Sequence, residues 1–229
     1  MPATPKADQA YQAIERLITF GQLQPGTLLS EATLMQHTGL GRTPVREAVQ
    51  RLARNRMLEI HPSRGIGVPP ASVDDQLHLL ETRRPLEVLA VRQGCLHADT
   101  DTLTAMSDLA EELRRGGFDL VPYVDTLHRT HHLIAHSARN PYLADALAPL
   151  HGLSRRFWVA NLTNTQHDIT QGAAHHIAIL EAITARNTDR AMRASLALND
   201  HLVTHALRTL PATRSPESDT FLLKHTLPT

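Results

Sequence analysis

Residues 41–53 read Gly-Arg-Thr-Pro-Val-Arg-Glu-Ala-Val-Gln-Arg-Leu-Ala, and this stretch decides the fold of the N-terminal part of the chain. Thr43 is expected to cap a helix here, with Pro44 at the first helical position, where no backbone N–H is needed. The apolar residues recur at helical spacing and define one buried face: Val45, Ala48, Val49 and Leu52. Another short helix is predicted just before it, over residues 30–39, where it ends at a glycine. This arrangement predicts a helix-turn-helix, whose second helix enters the DNA major groove with its N-terminal residues.

Two further elements complete this N-terminal unit. A preceding helix is predicted over residues 7–21 from a stripe of apolar residues: Ala10, Ala13, Ile14, Leu17 and Ile18. After the helix-turn-helix, residues 57–61 and 66–68 flank Pro62-Ser63-Arg64-Gly65, a pattern that predicts a β-hairpin with a basic tip. An arginine at the tip of such a wing can reach a narrow minor groove, where negative potential is concentrated. Residues 1–70 therefore predict a winged helix-turn-helix domain.

Charge is distributed unevenly along a chain that is neutral as a whole, with 23 basic and 23 acidic residues. Residues 1–70 carry a net charge of +3, and the remainder carries −3. Five of the eight basic residues in the first part lie between positions 42 and 56. A local basic segment attracts a phosphate backbone, although a solvated helix face has the same composition.

The composition excludes several classes of protein. The chain has 229 residues and a single cysteine, Cys95, which excludes a disulfide framework and cysteine-rich zinc motifs. Its apolar runs are too short for a membrane span. The N-terminus lacks the charged and then apolar pattern of a secretory signal. We therefore expect a cytoplasmic protein that does not engage membranes.

Pro69-Pro70 marks the domain boundary, and beyond a linker at residues 71–74 the chain is expected to be an all-α bundle that extends over residues 75–210. Glycine, proline and asparagine stand at the joints between helix-periodic segments, as in helix bundles. The predicted helices cover residues 74–97, 99–115, 119–138, 140–161, 166–186 and 187–209. Residues 211–229 mix Pro, Ser and Thr, so we expect a flexible tail. The fold class is thus mainly α, with the small wing as its β component.

The N-terminal domain resembles the GntR family of bacterial transcription regulators. The resemblance runs over residues 10–70 and is strongest in the quoted stretch 41–53, in Leu28-Leu29-Ser30-Glu31 and in the wing. It implies that two arginines meet operator bases or phosphates, and arginine matches the O6/N7 edge of guanine with two parallel hydrogen bonds. The DNA-contacting residues that it implies are Arg42, Thr43, Arg46, Ser63, Arg64 and Gly65.

The C-terminal domain resembles the FCD ligand-binding domain of the FadR-like branch of that family. The resemblance is carried by Arg83-Arg84-Pro85-Leu86-Glu87, by residues 131–143 and by residues 176–183. It implies a small carboxylate effector and one divalent metal, Zn, Ni or Mn, held by an Asp and three His. It also implies that Arg83 pairs with the effector carboxylate, unless Arg83 forms a surface ion pair with Glu87 one turn away.

The metal ligands that the resemblance implies are only partly present. His131 and His176 match two of the four positions, whereas Leu127 and Leu198 stand at the other two. Helical spacing offers His128 and His201 as substitutes on the same faces. Ten of the 15 histidines lie between residues 125 and 205, so many of them have other roles. A sensor without metal, which binds an organic ligand alone, remains an alternative.

These features predict a ligand-responsive DNA-binding regulator, a repressor that binds a palindromic operator as a homodimer. It is expected not to be an enzyme. The alternative is a metal-dependent hydrolase on a His-rich helical bundle, since clustered His and Asp can activate water. That alternative lacks an HExxH, glycine-rich or nucleophile-elbow motif and leaves the N-terminal motif unexplained.

Overall fold

The structure, a computed structural model, describes residues 5–210. The expected flexible tail, residues 211–229, lies outside the described residues. The N-terminal domain contains α1 (Lys6–Thr19), β1 (Leu28–Leu29), α2 (Glu31–Thr38), α3 (Arg42–Arg54), β2 (Glu59–His61) and β3 (Gly65–Gly67). The C-terminal domain contains α4 (Val73–His97), α5 (Thr100–Arg115), α6 (Leu120–Ser137), α7 (Pro141–Ala160), α8 (Thr165–Thr184) and α9 (Thr188–Arg208). The mainly α fold class is confirmed.

The helix-turn-helix forms as predicted, with one correction at the start of α3. Ser30 caps α2 by accepting a hydrogen bond from the Thr33 backbone N–H at 3.0 Å. Gly39 ends α2 in the left-handed conformation, with φ 66°. The prediction that Thr43 caps α3 was wrong, because the helix begins at Arg42 and Gly41 occupies the cap position. Thr43 and its neighbour are therefore already helical, which places the Thr43 side chain in the first turn.

The wing is part of a three-stranded antiparallel sheet in the order β1-β3-β2. The predicted hairpin is confirmed, with Ile60 opposite Ile66 and His61 opposite Gly65. Strand β1 was not predicted, because a two-residue strand is too short to show alternation. It pairs Leu29 with Ile66 and so fixes the wing to the body of the domain.

The C-terminal domain is a bundle of six helices among the described residues, in agreement with the prediction. Helix α4 lies at its centre, against α6, α7, α8 and α9. Its cap, Ser72, accepts a hydrogen bond from the Asp75 N–H at 3.1 Å. Because α4 starts at Val73, the linker ends earlier than its predicted boundary at residue 74.

The two domains contact each other directly. Helix α1 packs on α7, and Arg16 of α1 forms an exposed ion pair with Asp125 of α6. The Arg156 guanidinium of α7 donates a hydrogen bond to the Pro69 carbonyl, just before the linker. Helix α1 therefore forms part of the interface between the two domains.

Candidate functional site

The predicted DNA-binding residues of α3 lie together on the protein surface. Arg42, Thr43 and Arg46 are exposed in the first turns, while Val45 on the opposite face is buried. The Arg46 guanidinium lies 3.7 Å from Glu31 of α2, a loose contact that leaves 68% of its side chain exposed. The first N–H groups of α3 point out of its N-terminus, near Arg42 and Thr43, and add positive potential for a phosphate.

The wing presents its basic tip in the conformation that a tight turn requires. Ser63 and Arg64 are exposed, and Gly65 is half-buried. Ser63 adopts φ 60° and Gly65 adopts φ 118°. A Cβ on Gly65 would lie 2.7 Å from the Leu29 carbonyl oxygen, so this position accepts only glycine without displacing β1. The structure therefore places all six predicted DNA-contacting residues on the N-terminal domain, in α3 and in the wing.

Arg51 of α3, unlike Arg42 and Arg46, is held in contacts with α1. Arg51 pairs with Asp8 of α1 at 2.5 Å and stacks over the Tyr11 ring at 4.7 Å from its centroid. It therefore joins α1 to α3. Arg54 is exposed at the far end of the helix.

Inside the bundle, a small cavity of about 30 Å³, here called the central cavity, lies between α4, α6, α7, α8 and α9. This volume admits about two water molecules or the polar head of a small ligand. It is lined by Arg83, Tyr123, His131, Arg155, Trp158 and His176, among other residues. Four sequence-predicted residues are thus brought together here: Arg83, His131, His176 and His201.

The two matched histidines face each other across the cavity, and their hydrogen bonds define their tautomers. The His131 Nε2 and His176 Nε2 atoms are 3.2 Å apart. His176 Nδ1 lies 2.7 Å from the Gly172 carbonyl, which can only accept, so this nitrogen carries the proton. His176 Nε2 is then the acceptor, and His131 Nε2–H is the donor. His131 Nδ1 is left with a lone pair.

The lone pair on His131 Nδ1 accepts a hydrogen bond from Arg155, a residue that the sequence analysis did not identify. Arg155 Nη1 donates to His131 Nδ1 at 3.3 Å, and Nη2 donates to Glu15 Oε1 of α1 at 3.0 Å. The residues of the ion pair are more than nine-tenths buried, with Arg155 7% and Glu15 8% exposed. A continuous chain of hydrogen bonds therefore runs from the cavity into the DNA-binding domain.

A buried cluster of Arg83, Glu87 and His151 lies beside this chain of hydrogen bonds, and the sequence analysis did not identify His151. Arg83 pairs with Glu87, which is the second of the two roles expected for it. The pair is buried instead of exposed, and Arg83 Nε and Nη2 lie 3.1 Å and 2.5 Å from Glu87 Oε1. His151 Nε2 lies 2.9 Å from the same Glu87 oxygen, and the His151 ring stacks on His131 with centroids 4.2 Å apart. Although burial opposes ionisation, Arg83 and His151 lower the pKa of Glu87 to about 2. Glu87 is therefore an anion that neutralises Arg83.

The histidines of the cavity are neutral at physiological pH. Burial, together with neighbouring histidines and arginines, lowers the pKa of His131 well below its usual range. Burial also lowers the pKa of His151 and of His176 to about 4. The positive charge of the cavity thus comes from Arg83 and Arg155, and only Arg155 has its counter-ion on the other domain.

The four-histidine metal set is not brought together. His131, His176 and His201 all line the cavity, with the His201 ring packed on His175 at 4.7 Å between centroids, but His128 lies apart from them in the groove between α1 and α6. Among residues 5–210, no group of three or more His, Cys, Asp or Glu is placed to hold a metal ion. Leu127 and Leu198 also line the cavity, where the implied set has ligands.

The tautomer of His131 is a further obstacle to a metal. A metal-bound histidine usually donates its second ring N–H to an acceptor, which leaves the other nitrogen free to coordinate. Here the partner of His131 Nδ1 is the Arg155 guanidinium, which has no acceptor atom. His131 therefore presents Nε2–H, and not a lone pair, to the cavity. This donor set does not fit a resident metal.

One buried hydroxyl in the cavity wall points to a polar ligand. Tyr123 is fully buried, and its hydroxyl has no hydrogen-bond partner among the residues that the structure describes. The oxygen lies so close to Gly172 that a Cβ there would collide with it. An unsatisfied buried hydroxyl costs about 1–3 kcal/mol, which a bound acceptor would recover.

Comparison with known families gives two matches that divide the chain at the linker. Residues 6–68 match the model described as bacterial regulatory proteins, gntR family, and residues 78–202 match the FCD domain. Together they span both domains of the structure. No helix in the described part of the chain has the length and hydropathy needed to cross a bilayer.

Several regulators are similar over most of the chain. The uncharacterized HTH-type transcriptional regulator YdhC of Bacillus subtilis is 25% identical over 205 residues, which cover 88% of this chain and 91% of YdhC. The galactonate operon transcriptional repressor of Escherichia coli is 22% identical over 213 residues, or 84% of this chain and 93% of that protein. The solved structure of McbR/YncC from E. coli superposes with a TM-score of 0.72 at 20% identity, covering 90% of this chain and 99% of that one.

Proposed function

The chain belongs to the GntR family of bacterial regulatory proteins and carries an FCD domain, and on this premise we propose that it is a ligand-responsive repressor. It binds a palindromic operator as a homodimer in the cytoplasm, and a small carboxylate in the central cavity changes its affinity for DNA. FCD domains bind small-molecule effectors, so a sensor role fits the C-terminal domain. The family assignment does not favour the hydrolase alternative.

The observation that carries the proposal is the basic surface of the N-terminal domain. Arg42 and Arg46 are exposed in the first turns of α3, the helix that enters the major groove in a helix-turn-helix. Arg64 extends from the wing at the edge of the same domain. Arg42 and Arg46 would read bases or phosphates, Thr43 a phosphate, and the wing residues Ser63 to Gly65 the minor groove.

A homodimer is proposed because one winged helix reads too few bases for useful specificity in a genome. Two copies on paired half-sites double the contact surface, and their two-fold symmetry is mirrored in a palindrome. Repression is favoured by the similarity to the galactonate operon repressor. The bundle supplies the surface for dimerisation.

The cavity is proposed to bind its effector without a metal, which is the alternative that the sequence left open. Arg155 and Arg83 supply guanidinium N–H donors, and the Tyr123 hydroxyl supplies a neutral donor. A carboxylate matches this set, because guanidinium groups bind carboxylates through parallel hydrogen bonds. The effector's remaining part would contact the apolar wall at Leu127 and Leu198.

The test is DNA selection followed by affinity measurement. Sequences bound by the purified protein are enriched from a random pool, and a palindromic consensus is expected. Arg46→Ala should weaken binding to that sequence by about 1–3 kcal/mol, and the Arg42→Ala/Arg46→Ala double variant should weaken it further. Arg54→Ala serves as the matched control, since Arg54 is exposed on the same helix but remote from its N-terminus. An operator affinity unchanged in the double variant refutes the proposal.

A further inference from the structure

We propose that Arg155 is the residue that couples the two domains. An anionic ligand in the central cavity draws the Arg155 guanidinium away from the Glu15 carboxylate, and loss of this ion pair releases helix α1 from α7. This inference rests on the proposed function and assigns its regulation to one side chain. Arg155 is a positioning residue for α1 when the cavity is empty and a ligand-binding residue when it is filled.

The position of Arg155 makes both roles available to the same guanidinium. Arg155 lines the central cavity together with His131 and His176, and it also lines the groove of about 480 Å³ between α1 and α6. Its two terminal nitrogens point in different directions, Nη1 to His131 and Nη2 to Glu15. A small shift of the side chain toward the cavity lengthens the bond to Glu15 and brings both nitrogens to a ligand.

The buried position of the Glu15 carboxylate makes it sensitive to the loss of its partner, Arg155. Its carboxylate is buried against α7, and a Cβ on Gly152 would collide with Glu15 Oε1. Burial raises the pKa of Glu15 even though Arg155 opposes the change. A buried carboxylate without its cation must move to water or take up a proton. Either result weakens the contact of α1 with α7.

Helix α1 carries this change to the DNA-contacting surface. It packs on α3 through Ala10 and Ile14, and Asp8 of α1 pairs with Arg51 of α3. A shift of α1 on α7 therefore moves α3 as part of the same rigid domain. The direct ion pair offers a more specific route than the linker, because it links the cavity itself to α1.

Competition between the ligand and Glu15 has a measurable consequence. If both anions bind the same guanidinium, removal of the Glu15 charge must tighten binding of the ligand, by the reciprocity of linked equilibria. If Glu15 only holds the domains together, removal of its charge does not tighten binding in the cavity. The two cases differ in the sign of the effect.

The experiment uses acetate as the probe and Trp158 as the reporter. Trp158 is the only tryptophan of the chain and lines the cavity. Acetate is titrated into the full-length wild type, Glu15→Gln and Asp125→Asn. Glu15→Gln preserves the shape of the side chain, and Asp125→Asn removes one acidic charge from the exposed α1–α6 ion pair. Urea unfolding of each variant verifies that it is folded.

We expect acetate to bind Glu15→Gln about tenfold more tightly than the wild type and to bind Asp125→Asn as the wild type does. Acetate should also increase amide hydrogen exchange within residues 6–19 of the wild type, whereas Glu15→Gln should show that exchange without acetate. Equal or weaker acetate binding to Glu15→Gln overturns the inference and leaves the proposed function standing. Absence of saturable binding to all three proteins overturns the inference as well, and the DNA selection then decides the regulatory function separately.

Discussion

Removal of the Arg155 side chain has an effect whose size follows from the burial of its partner. In Arg155→Ala, the Glu15 carboxylate keeps its buried site on α7 and loses the guanidinium that lies 3.0 Å away. Breaking a buried ion pair from one side costs about 3–5 kcal/mol, because the remaining charge is neither solvated nor paired. Since a domain is stable by only about 5–15 kcal/mol, this loss should be plainly measurable.

The cost should depend on pH, and the sign follows from Glu15. Burial already raises the pKa of this carboxyl in the wild type, and loss of the cation raises it further. A group whose pKa is higher in the folded than in the unfolded state binds protons on folding, so stability rises as the pH falls through the folded pKa. The destabilisation by Arg155→Ala should therefore be larger near pH 7 than near pH 5.

Urea unfolding followed by Trp158 fluorescence measures this difference at both pH values. The double variant Arg155→Ala/Glu15→Gln is the matched control, because it lacks the buried charge and should recover part of the stability with little pH dependence. A cost below about 1 kcal/mol for Arg155→Ala near pH 7 would refute the buried-pair argument, since exposed pairs contribute that little. An equal cost in the double variant would refute it too.

Three further outcomes are expected. Gly65→Ala should distort the wing, because a Cβ meets the Leu29 carbonyl at a positive φ, and operator affinity measured by fluorescence anisotropy should fall while the bundle keeps its melting temperature. Gly152→Ala should loosen the contact of α1 with α7, since its Cβ also lies 3.0 Å from Met57 Cε, and faster exchange of the α1 amides would report this. Arg64→Ala should lower the salt dependence of DNA binding by about one unit of slope, with little change in sequence preference; an unaltered slope would exclude an electrostatic contact of the wing arginine with DNA.

Dialysis against a chelator tests the metal-free sensor that we propose. The melting temperature and acetate binding should both survive this treatment, because the Arg155 hydrogen bond holds His131 in the tautomer that cannot coordinate through Nε2. A large loss of stability on chelation, reversed by zinc or nickel, would contradict the argument. Elemental analysis of the untreated protein provides the independent check.

The sequence was sufficient for the fold because the deciding signals are local. The apolar spacing in α3, the Ser30 cap and the glycine at residue 39 each act within one turn of helix. The cap of α3 was misplaced because Thr43-Pro44 is a good local start, yet Gly41 already has the extended backbone of a cap. Strand β1 was missed because only its pairing with β3 makes it a strand.

The site was only partly predictable, since its decisive contacts join residues distant in sequence. His131 and His176 were found through a resemblance, and they do face each other. Arg155 and Glu15 are 140 positions apart, and nothing in the local pattern of α1 or α7 indicates that they meet. His151 was one histidine among many, and it is distinguished only by stacking and by its contact with the buried acid Glu87.

The most direct test of a ligand-responsive regulator compares operator affinity with and without effector in two proteins. The effector is the acid from a panel of small mono- and dicarboxylates that shifts Trp158 fluorescence at the lowest concentration. In the wild type it should change the operator Kd by about 5- to 150-fold, the range of a coupling free energy of about 1–3 kcal/mol. His131→Ala/His176→Ala should bind the operator as the wild type does, since the Arg155–Glu15 pair is kept, and should lose the response, since both side chains line the cavity and His131 orients the Arg155 guanidinium. A full response in this variant would contradict the account and place the sensor outside the cavity.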